Sequence, residues 1–412
     1  MSKWYRLDNA AKIFPPSKNR YDPKIFRFSI SLKENVDSKT LFEALKKTLD
    51  EYPVFRAVLK RGFFWYYLEE TDIKVLVSEE HNRPCSIIEG PALFQVTYYK
   101  KRINLEVNHA LTDGTGTLMF LKSLVAYYLD MKYKIKSNEI INKASIKETS
   151  LDSFKKYKSG KKIKISGKNK IAYQIKDEKY HENRLKIIEG IVSVKKVLDL
   201  AKSYDVSLTV YLASVLIKSI GDAMDVKDWG KDIAIAIPVN LRNYYPSYTV
   251  RNFFNAVNVR YNYNGEDLVD IIKEIDKQLK VSLSKENIRN KMNSMARLED
   301  IFVIRLIPIF IKDFILKYAY KLSDFSETMT LSNVGVINMP DAYQSYIDYF
   351  SVFMSTSRIQ LCLCSYLDNL VFSFTSQFVN SEVEKNFFRF FTSQGINVII
   401  NTNDLEGANN NA

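Results

Sequence analysis

The chain has 412 residues, too many for one ordinary core and enough for two or three domains of about 150 residues. Hydrophobic residues make up 46% and charged residues 26%, with 13 glycines and 10 prolines, which excludes collagen-like, coiled-coil and wholly disordered chains. Sixty basic residues against 47 acidic ones leave a net +13.

In chain order, Arg27 to Leu32 alternates as a strand, and Asp37, Ser38 or Thr40 can start a helix that runs through Tyr52 and ends at Pro53. Phe63 to Glu69 and Ile73 to Ser78 read as strands, and Leu93 to Tyr99 with Ile103 to Val107 as a hairpin around Lys100–Arg102. A helix is predicted from about Thr115 to Asp130. Between Met131 and Leu185 lie 16 Lys and Arg against 6 Asp and Glu, so this segment carries +10 of the excess. It reads as a solvated basic linker or crossover, and as a grip for an anionic ligand or an acidic partner protein in the sharper reading. No aromatic-interleaved basic sheet or recognition helix accompanies it, so nucleic acid is not implied.

The second half repeats the rhythm. A strand, Ile187 to Val194, is followed by a helix to Ser203 and another opened by Ser207. Ile233–Asn240 and Phe253–Tyr261 are β-rich, and helices with breaks occupy Glu266 to Leu322. Ile301 to Leu322 is apolar, but Arg305, Lys312, Asp313 and Lys317 interrupt it. It reads as a mostly buried helix with a charged edge, not a transmembrane segment. Strands are expected at Thr328–Asn333, Tyr349–Ser355, Ile359–Tyr366 and Leu370–Phe378, and a helix at Ser381–Ser393. The resulting division is an N-terminal subdomain (1–145), a basic crossover (146–185), a C-terminal subdomain (186–406) and a frayed tail (407–412).

Cys85, Cys362 and Cys364 cannot form a disulfide framework, and three histidines (His81, His109, His181) supply no zinc set, so no metal is expected. Met1 to Pro16 has no apolar stretch typical of a signal peptide. A reducing, cytoplasmic setting follows as the expectation.

One loop carries chemistry. Asn108-His109-Ala110-Leu111-Thr112-Asp113-Gly114 joins a strand to a helix. A positioned imidazole is a natural general base near neutrality, and a carboxylate four residues on can cap the helix or meet a cation from the other half. Gly114 and Gly116 lack a Cβ and permit close approach to a ligand. The corresponding junction of the second half, LVFSFTSQFVNSEVEKNFFRFF, holds no such residues.

His-x-x-x-Asp-Gly between a strand and an apolar helix resembles the signature of the chloramphenicol-acetyltransferase-like acyltransferases. Trp4–Ala11, Phe63–Tyr67, Ile237–Arg242 and Leu331–Gly335 resemble bacterial members grouped with alcohol acetyltransferases, so the likeness spans nearly the whole chain. Asn108 stands where condensation domains have a second histidine, which separates the chain from that branch. The resemblance implies an α/β (α+β) pseudo-dimer of two subdomains, each a mixed, mostly antiparallel sheet flanked by helices, with a tunnel between them. It implies acyl-CoA as co-substrate, no permanently bound cofactor, and transfer to a small alcohol or amine with His109 as base and no covalent intermediate. Asp113 would hold the loop through an arginine, Arg242 first, with Arg251 and Arg260 as alternatives. Gly114, Ser332, Asn333, Ser355 and Ser357 would contact substrate or CoA. The Ser355-Thr356-Ser357 triplet resembles the Ser-Thr-Ser of carnitine-type acyltransferases. An acyl carrier protein is the alternative donor and acidic partner, a non-catalytic lipid-binding scaffold the alternative role, and a monomer is compatible with two halves that supply each other's interface.

Overall fold

Two sheets, each covered by helices whose apolar stripes match its inward-facing residues, organise the chain. The structure, a computed structural model, describes residues 3–135, 141, 144–159, 170–180, 184–297 and 305–403. His181, the basic run 160–169 and the tail 407–412 lie outside the described residues.

The first sheet contains β2 (Ile25–Leu32), β5 (Val77–Glu79), β6 (Phe94–Tyr99), β7 (Arg102–Asn108) and β12 (Ile347–Met354), in the order β12-β2-β7-β6-β5. All its pairings are antiparallel except β5 with β6. Phe26, Phe28 and Ile30 of β2 are buried under the helices Ser38–Glu51 and Gly114–Tyr133. Asp37 caps the first helix by accepting from Thr40 N at 2.7 Å. A small satellite sheet joins β1 (Trp4–Arg6), β4 (Tyr66–Glu70) and β3 (Ala57–Arg61) in the order β1-β4-β3. The strand expected from Phe63 therefore begins at Tyr66, and of the run from Ile73 only Val77–Glu79 is strand.

The second sheet has seven strands in the order β10-β9-β11-β13-β14-β8-β15. These are β8 (Lys186–Ser193), β9 (Asp232–Asn240), β10 (Phe254–Asn262), β11 (Met329–Val336), β13 (Ile359–Tyr366), β14 (Asn369–Ser376) and β15 (Ile399–Thr402). The third strand in that order, β11, runs parallel to both neighbours, and the remaining pairs are antiparallel. The helices Leu208–Asp222, Leu268–Ser282 and Glu382–Ser393 bury this sheet in a separate apolar cluster.

The observed architecture is the expected two-subdomain one, with a difference in the division. Ile347–Met354, placed by sequence in the second subdomain, hydrogen-bonds along β2 from Met354↔Phe26 to Ile347↔Leu32 and completes the first sheet. A strand finds its sheet by pairing and burial, not by its position along the chain, and β12 stitches the two lobes together. The crossover also has more structure than a solvated linker. Ser145 forms a capping box for the short helix Ile146–Thr149, and Phe154 and Tyr157 of the next one pack on Phe253. The helix Ile309–Asp324 departs from expectation as well: its large apolar residues face outward, with Phe314 74% exposed. Its inner side is occupied by Ile309, Lys312 and Tyr320. Among the described residues no single helix is long and apolar enough to cross a membrane.

Candidate active site

A cavity of about 830 Å³ opens between the lobes. Phe14, Lys24, His109, Asp113 and Gly114 line it from the first sheet's side, and Ile237, Asn240, Ser332, Asn333 and Gly335 from the second. Ser355, Thr356 and Ser357, in the segment that passes from β12 to β13, complete the wall.

His109 sits one residue past β7 and is half-buried. Its amide donates to Lys24 O at 2.8 Å. Its ring stacks on Phe14 at 4.3 Å and meets Phe26 at 4.9 Å and Phe254 at 5.5 Å. The side chain of Asn252 fixes the tautomer. Asn252 Nδ2 donates to His109 O at 3.0 Å and to Asp8 Oδ2 at 3.5 Å, so the amide oxygen is the atom 3.1 Å from His109 Nδ1. Nδ1 then carries the proton, and Nε2 is left as the acceptor. Burial among aromatic rings pushes the imidazole pKa below its ordinary value, with the Asp113 carboxylate and the Asn252 bond pulling the other way. The net effect favours the neutral form of the ring.

Asp113 is buried and does not touch the imidazole in a hydrogen bond; its partners are elsewhere. Oδ1 accepts from Gly116 N at 2.9 Å and caps the helix Gly114–Tyr133. Oδ2 accepts from Phe253 N at 2.7 Å. Arg242 clamps both oxygens, Nη1 to Oδ2 at 2.8 Å and Nη2 to Oδ1 at 3.2 Å. The same guanidinium donates to Thr249 O and Arg251 O, so one side chain fastens the His109 loop to the 249–253 segment of the other lobe. The two alternative arginines are committed elsewhere. Arg251 is 3.7 Å from Asp8, and Arg260 donates to Ser326 O.

Of the two glycines, only Gly116 makes the close approach, and to protein rather than ligand. A Cβ there would stand 1.9 Å from Val250 O and 2.4 Å from Thr112 Oγ1. Gly114 lines the cavity, and a Cβ on it would meet only Phe28, at 3.8 Å.

The remaining residues divide by what their polar atoms already do. Ser332 and Asn333 lie inside β11, which runs on past the expected end at Asn333 to Val336, at a bulge between Asn333 and Gly335. Asn333 Oδ1 accepts from Gly335 N, and Nδ2 donates to Thr209 at 3.2 Å. Ser332 Oγ borders Cys362, its neighbour across the ladder. Ser355 Oγ donates to Asp22 Oδ1 at 2.8 Å and accepts from Ile25 N at 3.1 Å, so its proton is engaged. Ser357 offers its carbonyl to Lys179 Nζ at 2.9 Å. Beside Ser355, Lys24 pairs with Asp22 and donates to Tyr320 OH at 2.7 Å. Burial opposes the charge on Lys24, but Asp22 and Tyr320 outweigh it and hold its pKa up.

The sequence reading missed Asn252, Asp8, the aromatic cage and the Lys24 cluster. Asp8 lies in Trp4–Ala11, a stretch that carries part of the family resemblance, and Asn252 adjoins a candidate arginine, Arg251; those are the signals the sequence holds. The cysteines are buried and free, and burial pushes the Cys362 thiol up to about 12, so none is a poised nucleophile. His81 is exposed. Among the described residues no group of three His, Cys, Asp or Glu side chains is placed to hold a metal.

Two lobes stitched by a crossed strand, with a histidine-bearing strand-to-helix loop at their junction, define the chloramphenicol-acetyltransferase-like fold shared by acyltransferases and condensation domains. Polyketide synthase associated protein 5 from Mycobacterium tuberculosis superposes with a TM-score of 0.61 at 14% identity, over 93% of this chain and 96% of that one. F. graminearum TRI101, crystallised with coenzyme A and deoxynivalenol, gives 0.63 at 12% identity, over 93% and 96%. The epimerization domain from the third module of tyrocidine synthetase B gives 0.59 at 12%, over 95% and 97%. Residues 149–394 match the family model described as alcohol acetyltransferase, and the chain belongs to that family of acyltransferases. By sequence alone, no curated protein matches it.

Proposed function

We propose that the protein transfers an acyl group from a CoA thioester to an acceptor hydroxyl, with His109 as general base and no covalent intermediate. The observation that carries this reading is the cavity-lining imidazole, with Nδ1 held by Asn252 so that Nε2 is the available base. Nε2 takes the proton of the acceptor hydroxyl as its oxygen attacks the thioester carbonyl. The C–S bond then breaks, and the imidazolium returns the proton to the departing thiolate. Asp113 acts on position alone, since both its oxygens are occupied by Arg242, Gly116 and Phe253. Gly114, Ser332, Asn333, Ser355 and Ser357 line the space the thioester and pantetheine arm would fill. Family membership supports the alcohol acceptor, and neighbours of this fold crystallised with coenzyme A support the donor.

Thiol release from acyl-CoA in the presence of an alcohol panel tests the reading. His109→Ala is expected to lower kcat/KM by roughly 10²–10⁴ with melting unchanged. Full activity in that variant rejects His109 as the base. Running the same assay with acyl carrier protein as donor separates the two donor classes.

A further inference from the structure

The helix Ile309–Asp324 has a construction that the cavity does not explain. Phe310, Phe314, Tyr318 and Leu322 follow one another at four-residue spacing, which winds a stripe about 120° wide along one face. All four are exposed, Phe314 at 74%, Phe310 at 62% and Tyr318 at 60%. Ile315 widens the stripe. Phe63, 69% exposed, adjoins its start, because Ile309 N donates to Phe63 O at 2.9 Å. Isolated exposed apolar residues are ordinary on soluble proteins, but a contiguous band of large ones marks a docking surface.

Charge identifies the occupant. The two carboxylates of the helix are both engaged away from this face: Asp313 accepts from Arg61 at 3.1 Å and Tyr66 at 2.9 Å, and Asp324 accepts from Arg358 at 2.8 Å. The exposed Lys317 and Lys321, by contrast, meet no carboxylate among the described residues. The outer face therefore offers apolar rings flanked by unneutralised ammonium groups and no free acid. Lysine is depleted from the cores of protein–protein interfaces, whereas apolar rings bordered by lysines are the composition of helices that lie in the headgroup plane of a bilayer. The net +13 of the chain adds long-range attraction to an anionic surface. Tyr320 and Asp324 of the same helix line the cavity, so a surface docked here lies directly behind the wall of the site.

We propose that this face docks the protein onto an anionic phospholipid bilayer, with Phe63, Phe310 and Phe314 in the acyl boundary and Lys317 and Lys321 at the headgroups. The docking does not depend on which acyl donor the site uses.

Co-sedimentation of the full chain with vesicles tests it. Binding is expected to phosphatidylcholine vesicles that contain phosphatidylglycerol, and to be much weaker with phosphatidylcholine alone. Phe310→Ser with Phe314→Ser is expected to weaken binding about tenfold or more at unchanged melting temperature. Lys317→Gln and Lys321→Gln are each expected to weaken it about fivefold, and only on the anionic vesicles. No sedimentation with anionic vesicles, or equal sedimentation of the double serine variant, overturns the proposal. So does a wild-type dimer that the serine variant dissolves without any vesicle binding, which would make a second copy the occupant. Binding of an acidic carrier protein through these residues in place of vesicles overturns it equally.

Discussion

Asp113 and Arg242, which come from different lobes, meet in a bidentate pair with contacts of 2.8 and 3.2 Å, and both side chains are more than nine-tenths buried. The pair is the mechanical link between the loop that carries His109 and the lobe opposite. A buried charge that loses its partner is far costlier than the pair is favourable. Arg242→Met is therefore expected to destabilise the protein by about 3–5 kcal/mol in urea unfolding. Adding Asp113→Asn should recover part of that loss, because the stranded carboxylate is gone. A double variant as unstable as the sum of the two singles would show that the pair is not coupled.

The pH profile of the reaction should report the half-buried imidazole. Because burial lowers the pKa of His109, kcat/KM is expected to rise along an acid limb below about 6.5 and to be flat through neutrality. Asn252→Asp replaces the amide oxygen at Nδ1 by a carboxylate, which favours imidazolium and should move that limb to higher pH. A limb left in place would mean that Asn252 does not hold the ring.

Much of this geometry was legible in the sequence, and the reasons are local. Asp113 announces itself as a cap because a strand ends and an apolar helix begins around it, and the Ser207 and Asp37 caps are visible for the same reason. The Ser193 cap is not among these, since Ser193 reads as part of the strand Ile187–Val194. What stayed hidden depends on contacts between distant segments. β12 joins the first sheet by pairing with β2, more than 300 residues away, and its own composition does not say which sheet it will complete. Asn252 is one asparagine among many until the fold brings it to His109. The helix Ile309–Asp324 misled for a physical reason: periodicity finds an apolar face but not whether that face turns inward.

Asp8 gives a stability signature of its own. Burial raises its pKa from 3.8 to about 6 against the pull of Arg251, so between those values the folded protein holds a proton that the unfolded chain has lost. Its contribution is then present below pH 4 and lost as pH rises through 6. Asp8→Asn removes this titration. The stability of the variant relative to wild type is expected to improve by on the order of 3 kcal/mol between pH 4 and pH 7.5, measured by urea unfolding at each pH. A difference independent of pH would place the carboxylate in a more polar setting than this one.

The two glycines of the loop should respond in opposite ways to the same methyl group. At Gly116 the added carbon meets Val250 O, so Gly116→Ala must push the lobes apart and is expected to cost about 1–3 kcal/mol. Gly114→Ala has room against Phe28, and its methyl group sits at the lining of the cavity. Melting should be preserved there while KM for the acyl donor rises. Equal melting shifts for both variants would contradict the contact at Val250.

Ser355 separates support of the site from chemistry within it. It lines the cavity, but its hydroxyl donates to Asp22 and receives the amide of Ile25, tying the start of β2 to the end of β12. An oxyanion donor removed by mutation costs about 10²–10³ in kcat with the fold untouched. A structural hydroxyl whose loss leaves the Ile25 amide unsatisfied instead costs about 1–3 kcal/mol of stability. Ser355→Ala is expected to show the second pattern, a lower urea midpoint with kcat within a few-fold of wild type. A normal midpoint with kcat reduced a hundredfold would show that the hydroxyl turns from Asp22 to the reacting carbonyl during turnover, and the oxyanion would then be stabilised from the β12–β13 turn.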